Sequence, residues 1–131
     1  MAGGTREVQA VLDAQRSELF VGRFEIVMAG EGSVNVLTIK RLAADAIVPR
    51  DKWLAGLESG VFVTGTGLNK VEGRLPADVL LVPAESREPR AAVVGQIAWR
   101  DYVAGRRDDL WKLAPVYLRA SYAEEKAKTK V

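Results

Sequence analysis

The order of predicted elements places this chain in the α/β class, as a mixed sheet with helices. Three observations carry that expectation. Two runs of alternating apolar and polar residues, 7–14 and 18–28, are separated by three polar residues. A third such run, 34–42, follows a glycine-rich segment. From residue 49 onward, helical and extended patterns alternate, as they do where helices cover a sheet.

The first strand places Val8, Ala10 and Leu12 on one face at period two. The second places Phe20, Phe24 and Ile26 on one face and Arg23 and Glu25 on the other. Gln15, Arg16 and Ser17 form a short polar link suited to a hairpin. Gly30-Glu31-Gly32-Ser33 predicts a turn, and the third strand sets Leu37 and Ile39 against Thr38 and Lys40. Three strands with short links make an antiparallel meander. Pro49 opens a short helix, because its missing N–H costs nothing in a first turn. Trp53, Leu54 and Leu57 form the apolar side of that helix, and Gly60 ends it.

Val61–Thr64 reads as a buried strand followed by the turn Gly65-Thr66-Gly67. Residues 69–78 are loop-like, with Gly73 and Pro76, and Val79–Val82 is a short strand closed by Pro83. The longest helix is expected over Ser86–Ala104, capped by Ser86, with Pro89 in its first turns and Gly105 past its end. Val94, Ile97, Ala98 and Tyr102 share one face of it. Residues 113–119 read as an extended arm. A meander followed by alternating helices and strands is the ribonuclease H-like pattern. One such lobe is expected over residues 1–121, with a charged, flexible tail over 122–131.

Composition narrows the chemistry. The 131 residues suffice for one domain, and 48% hydrophobic with 27% charged residues is an ordinary globular balance that argues against general disorder. The chain has neither cysteine nor histidine. Disulfides, thiol chemistry, Ser-His-Asp triads and His/Cys zinc sites are therefore excluded. No apolar run reaches the roughly 18 residues of a membrane span. Met1–Arg6 lacks the apolar segment of a secretory signal, so the cytoplasm is the expected compartment. Charge is uneven. Residues 1–86 carry 9 Lys/Arg and 11 Asp/Glu, and residues 87–131 carry 10 and 6. The basic second half permits contact with nucleic acid without demanding it.

Several residues admit two readings each. Asp13 and Glu18 could form a carboxylate pair for magnesium. Alternatively, Asp13 accepts hydrogen bonds from the hairpin backbone or pairs with Arg16. Trp53, Trp99 and Trp111 could stack bases, with Arg100, Arg106, Arg107 and Lys112 on phosphates. The bland reading is that the indoles pack in a core or at a lobe interface and the cations line a solvated face. Pro115 stiffens the arm, and Tyr117 and Leu118 are expected to dock on the domain while Arg119 pairs with an acid. Leu19 and Val21 lie opposite Phe20, Phe24 and Ile26, so both faces of this strand are apolar. One face is expected to meet the domain's own helices. The other, to be probed at Leu19 and Val21, would pair with a second copy or a partner.

Three segments resemble the TsaB (YeaZ) family of tRNA threonylcarbamoyladenosine biosynthesis proteins. Val11–Val21, containing Asp13 and Arg16, is similar to that family's Asp-Ala-Arg hairpin. Val63-Thr64-Gly65-Thr66-Gly67 is similar to its glycine turn after a buried strand. Leu113–Arg119, containing Pro115, Tyr117, Leu118 and Arg119, is similar to its Pro-x-Tyr-Leu-Arg signature. The resemblance implies an actin-like, Hsp70-like ATPase superfamily fold of two ribonuclease H-like lobes, of which this chain matches the C-terminal one. The first lobe, with its Gly-Pro-Gly-Ser-Phe-Thr-Gly segment and its contact with the transferase TsaD, is missing from the matched sequence.

By resemblance the protein is a non-catalytic scaffold supporting a TsaD-like partner, and touches tRNA only indirectly. Older naming calls such relatives glycoprotease-like. In the wider superfamily a turn placed like Gly65, Thr66 and Gly67 touches adenosine. Here no P-loop lysine pattern or second phosphate loop accompanies it, and a tight turn is the competing reading. No catalytic residue, cofactor or metal is expected. Two alternatives stay open: a ribonuclease H-like phosphate-handling enzyme using Asp13 and Glu18, and a self-associating module, such as a homodimer.

Overall fold

A computed structural model describes residues 4–29, 36–120 and 122–129. The turn expected at 30–33 and the start of the third strand lie outside those residues. Among the described residues the chain forms a mixed α/β structure with a mixed sheet and three helices. It divides into two compact units, Met1–Glu88 and Pro89–Val131, where the sequence pattern alone suggested one lobe over 1–121.

The first unit is built on a six-stranded sheet. β1 (Thr5–Asp13) and β2 (Glu18–Ala29) pair antiparallel with Val11 opposite Val21 and Val8 opposite Phe24. β3 (Val36–Arg41) continues the meander along the second half of β2. β4 (Ala46–Pro49) pairs with the first half of that same edge, through Glu18–Val21. The sequence reading missed β4, which has only four residues and ends in proline. Such a strand is tolerated at a sheet edge, where no further partner needs the absent N–H.

β5 (Phe62–Thr64) joins the other edge of β1 in parallel, and β6 (Leu80–Leu81) joins β5 in parallel. The strand order is β3-β2-β1-β5-β6, with β4 beside β2. Parallel neighbours need long crossovers. The crossover from β4 to β5 contains α1 (Arg50–Ala55); that from β5 to β6 contains two 3₁₀ turns, Thr66–Lys70 and Glu72–Arg74.

The core lies on one face of this sheet. Val11, Leu19, Val21 and Val63 point to it, joined by Trp53 from α1 and by Leu68 and Val71 from the crossover. Val71 was hidden in the stretch 69–78 read as loop, and Leu68 stood unassigned between it and the glycine turn. Their spacing with Leu75 (i, i+3, i+7) is helical, and that was the available signal. Leu19 is fully buried and Val21 nearly so, which corrects the expectation that they front a partner-facing surface. The face left to other uses carries Phe20, Phe24, Ile26 and Phe62, all half-buried. Arg41 lies 4.8 Å over the Phe24 ring and Arg6 5.8 Å over Phe62, so guanidinium groups cover part of that apolar surface.

In the second unit, α2 runs over Ala91–Val103, shorter than the expected Ser86–Ala104. Pro89 disfavours a helical conformation at Glu88. Ser86 therefore sits in a separate 3₁₀ turn, Ala84–Ser86, and Arg90 at the helix start is extended. No residue of α2 is buried. Trp99 is 67% and Trp111 98% exposed, so neither packs in a core of this chain, whereas Trp53 is buried. In the arm, Tyr117 is 82% exposed, against the docking expected for it, whereas Leu118 is partly covered, at 37% exposure. The expected flexible tail contains α3 (Tyr122–Thr129). Among the described residues no helix is long and apolar enough to cross a membrane.

Candidate functional site

The sequence-predicted site residues of the first unit converge at one end of the sheet, around the β1–β2 hairpin. Gln15, Arg16 and Ser17 all have positive φ, at 64°, 51° and 59°. Three successive left-handed residues without a glycine are costly, about 1 kcal/mol or more each. The turn is held by a closed set of hydrogen bonds. Ala14 N–H donates to the Glu18 carbonyl at 3.0 Å, and Glu18 N–H to the Gln15 carbonyl at 2.9 Å. Arg50 N–H, at the start of α1, donates to the Ser17 carbonyl at 2.9 Å and ties the helix to the turn.

Asp13 organises this corner. Its Oδ1 accepts the Gln15 N–H at 3.1 Å and an Arg50 Nη2 proton at 3.2 Å. Its Oδ2 accepts from Gln15 Nε2 at 3.4 Å and lies 3.9 Å from Lys70 Nζ. The Gln15 backbone hydrogen bond holds the carboxyl below its ordinary value of 3.8. Desolvation opposes this less strongly, and Arg50 and Lys70 each lower the carboxyl by a smaller amount again. The expectation that Asp13 caps the hairpin backbone is met. The cations seen on it are Arg50, from α1, and Lys70, from the crossover; neither belongs to the hairpin. Arg50 Nε is buried without a hydrogen-bond partner.

Gly65 and Gly67 belong to the same corner, but their surroundings are protein. Gly65 has φ 105° and ψ 159°, a region essentially closed to other residues. A Cβ there would lie 2.8 Å from the Val11 nitrogen and closer still to the Val11 carbonyl oxygen. One on Gly67 would lie 2.9 Å from the main chain of Val11 and Leu12. The glycines thus let the crossover lie directly on β1, and Thr66 between them is half-buried. On the side where a Cβ would project, both glycines meet the main chain of β1.

Below the corner, Gln9 is the buried polar residue of the core face. Its Oε1 accepts the Trp53 indole N–H at 2.8 Å, and its Nε2 donates to Glu7 Oε1 at 3.1 Å. Glu7 also takes Arg23 at 2.8 Å. Sequence reasoning missed this chain of contacts. The sequence hid it, because Gln9 shares its strand face with Glu7 and Asp13 and so reads as part of a polar face.

Chemically, the corner is an ion-paired joint in which the Asp13 carboxylate is fully engaged and Arg50 Nε is left without a partner. Among the described residues no three acidic side chains gather to hold a metal. The remaining signature residues, Pro115, Tyr117, Leu118 and Arg119, lie in the second unit. Comparison of the chain with protein-family models, curated proteins and solved structures finds no match.

Proposed function

We propose that this chain is a non-catalytic scaffold lobe of TsaB type, supporting a TsaD-like transferase in tRNA threonylcarbamoyladenosine modification. The observation that carries this reading is the sheet: an antiparallel meander, β1 to β3, extended by parallel β5 and β6 on the free edge of β1. That arrangement supports a ribonuclease H-like lobe. The use made of the motifs agrees with a scaffold role. Asp13 is spent on the hairpin, and the glycine turn on contact with β1. The rival phosphate-handling enzyme needs Asp13 free to meet a metal, yet Arg50 and Lys70 already neutralise it. A scaffold of this kind would work in the cytoplasm.

The resemblance assigns the TsaD contact to the first lobe, so the test supplies that lobe as a separate polypeptide. Threonylcarbamoyl transfer to tRNA by TsaD is measured with the first lobe alone, with this chain alone, and with both. The reading expects stimulation only with both. Equal activity with and without this chain would refute it. Phosphodiester hydrolysis abolished by Asp13→Asn would favour the enzyme instead.

A further inference from the structure

The end of α2 carries an aromatic and cationic stack that the scaffold role does not use. Trp99 and Tyr102 lie with ring centroids 5.8 Å apart and planes 21° from parallel. The Arg107 guanidinium sits 3.7 Å from the Tyr102 centroid and donates through Nη1 to the Tyr102 and Arg106 carbonyls. These contacts fix the stack in place. Trp99 is nonetheless 67% exposed, which leaves a broad indole surface open. Beside it runs an open concavity lined by Trp99, Tyr102, Arg106 and Arg107, and also by the carboxylates of Asp101 and Asp108. Trp111 stands almost wholly in solvent a few residues on.

Charge selects the occupant. Residues 89–131 carry nine Lys/Arg against five Asp/Glu, while residues 1–88 carry ten against twelve. The division between the units is thus also a division of charge. Arg106 meets Asp101 and Asp108 at 3.4 and 3.3 Å, and Lys112 meets Asp109 at 4.0 Å, on exposed side chains apart from the half-buried Asp101. Exposed pairs of this kind contribute little and exchange readily for a phosphate. An apolar protein partner would use the indoles and leave the positive charge idle. A single-stranded polynucleotide uses both, because its bases offer free π faces and its backbone offers phosphates.

We propose that this patch binds single-stranded nucleic acid, with a base stacked on Trp99 and a phosphate on Arg106. The inference is independent of the scaffold reading. The test is anisotropy of labelled oligo-U and oligo-dT strands of about 12 nucleotides, titrated with the whole chain, with a duplex of equal length as control. Binding is expected to be saturable, weaker for the duplex, and weaker by about fivefold between low and physiological salt. Trp99→Ala should weaken it about tenfold, while Trp99→Phe, which keeps an aromatic face, retains most of it. Tighter oligo-U binding makes RNA the ligand; tighter oligo-dT binding makes it DNA. Absence of binding at low salt overturns the proposal. So does binding indifferent to both Trp99→Ala and Trp111→Ala. Self-association abolished by Trp99→Ala, with no oligonucleotide bound, would make the patch a protein interface and likewise overturn it.

Discussion

Replacing Gly65 by alanine separates a turn built for packing from one built for a ligand. Two costs add. The backbone at φ 105° and ψ 159° strains any residue with a Cβ, by about 1–3 kcal/mol. The new methyl also falls inside contact distance of the Val11 main chain, which cannot rotate away as a side chain would. Forcing β1 and the crossover apart is overpacking, typically about 1–3 kcal/mol. The sum, about 4 kcal/mol, is a large share of the roughly 5–15 kcal/mol that holds a domain. At about 4–8 °C per kcal/mol for a unit of this size, the melting midpoint should fall by some 15–30 °C. Gly60→Ala is the control. Its φ is 79°, but nothing lies within 4 Å of the added Cβ. It should cost only the strain of a left-handed residue, about 1 kcal/mol. Urea and thermal unfolding of the two variants and the parent decide the matter. A Gly65→Ala variant within about 1 kcal/mol of the parent would refute the packing account.

Three further outcomes follow from the same corner and the core beneath it. Arg16→Gly relieves one left-handed residue of the hairpin and should raise stability by about 1 kcal/mol in urea unfolding; a loss would mean the arginine side chain outweighs the strain. Asp13→Asn should destabilise at neutral pH. The native carboxyl titrates below its ordinary value, so its stabilisation is present above about pH 4 and is lost as pH falls through the native value. The gap between parent and variant should therefore narrow in acid, and a gap constant from neutral pH to about pH 3 would refute the role given to Gln15, Arg50 and Lys70. Gln9→Leu strands the buried Trp53 N–H and should cost about 1–3 kcal/mol, with a double-mutant cycle against Trp53→Phe giving a non-zero coupling energy.

The sequence by itself determined the meander, the short helix at Trp53 and the buried strand at Val63, because periodicity and turn residues act locally. It also excluded thiol and histidine chemistry outright, since that depends on composition alone. Only the tertiary structure decided the rest. Both faces of β2 are apolar, so period two could not say which is the core. The answer, Leu19 and Val21, depends on where α1 and the Thr66–Lys70 turn come to lie. Asp13 could have faced a metal, its own hairpin or a distant cation. Arg50 and Lys70 reach it from 37 and 57 positions along the chain, a separation no local pattern encodes. The Gly65–Gly67 turn reads identically for a ligand and for a neighbouring strand, because glycine records only that something comes close; the fold supplies Val11. The aromatic residues of α2 have the spacing of a core helix. Whether such a stripe is buried depends on what the rest of the chain brings against it, and Trp99 and Trp111 stay in solvent.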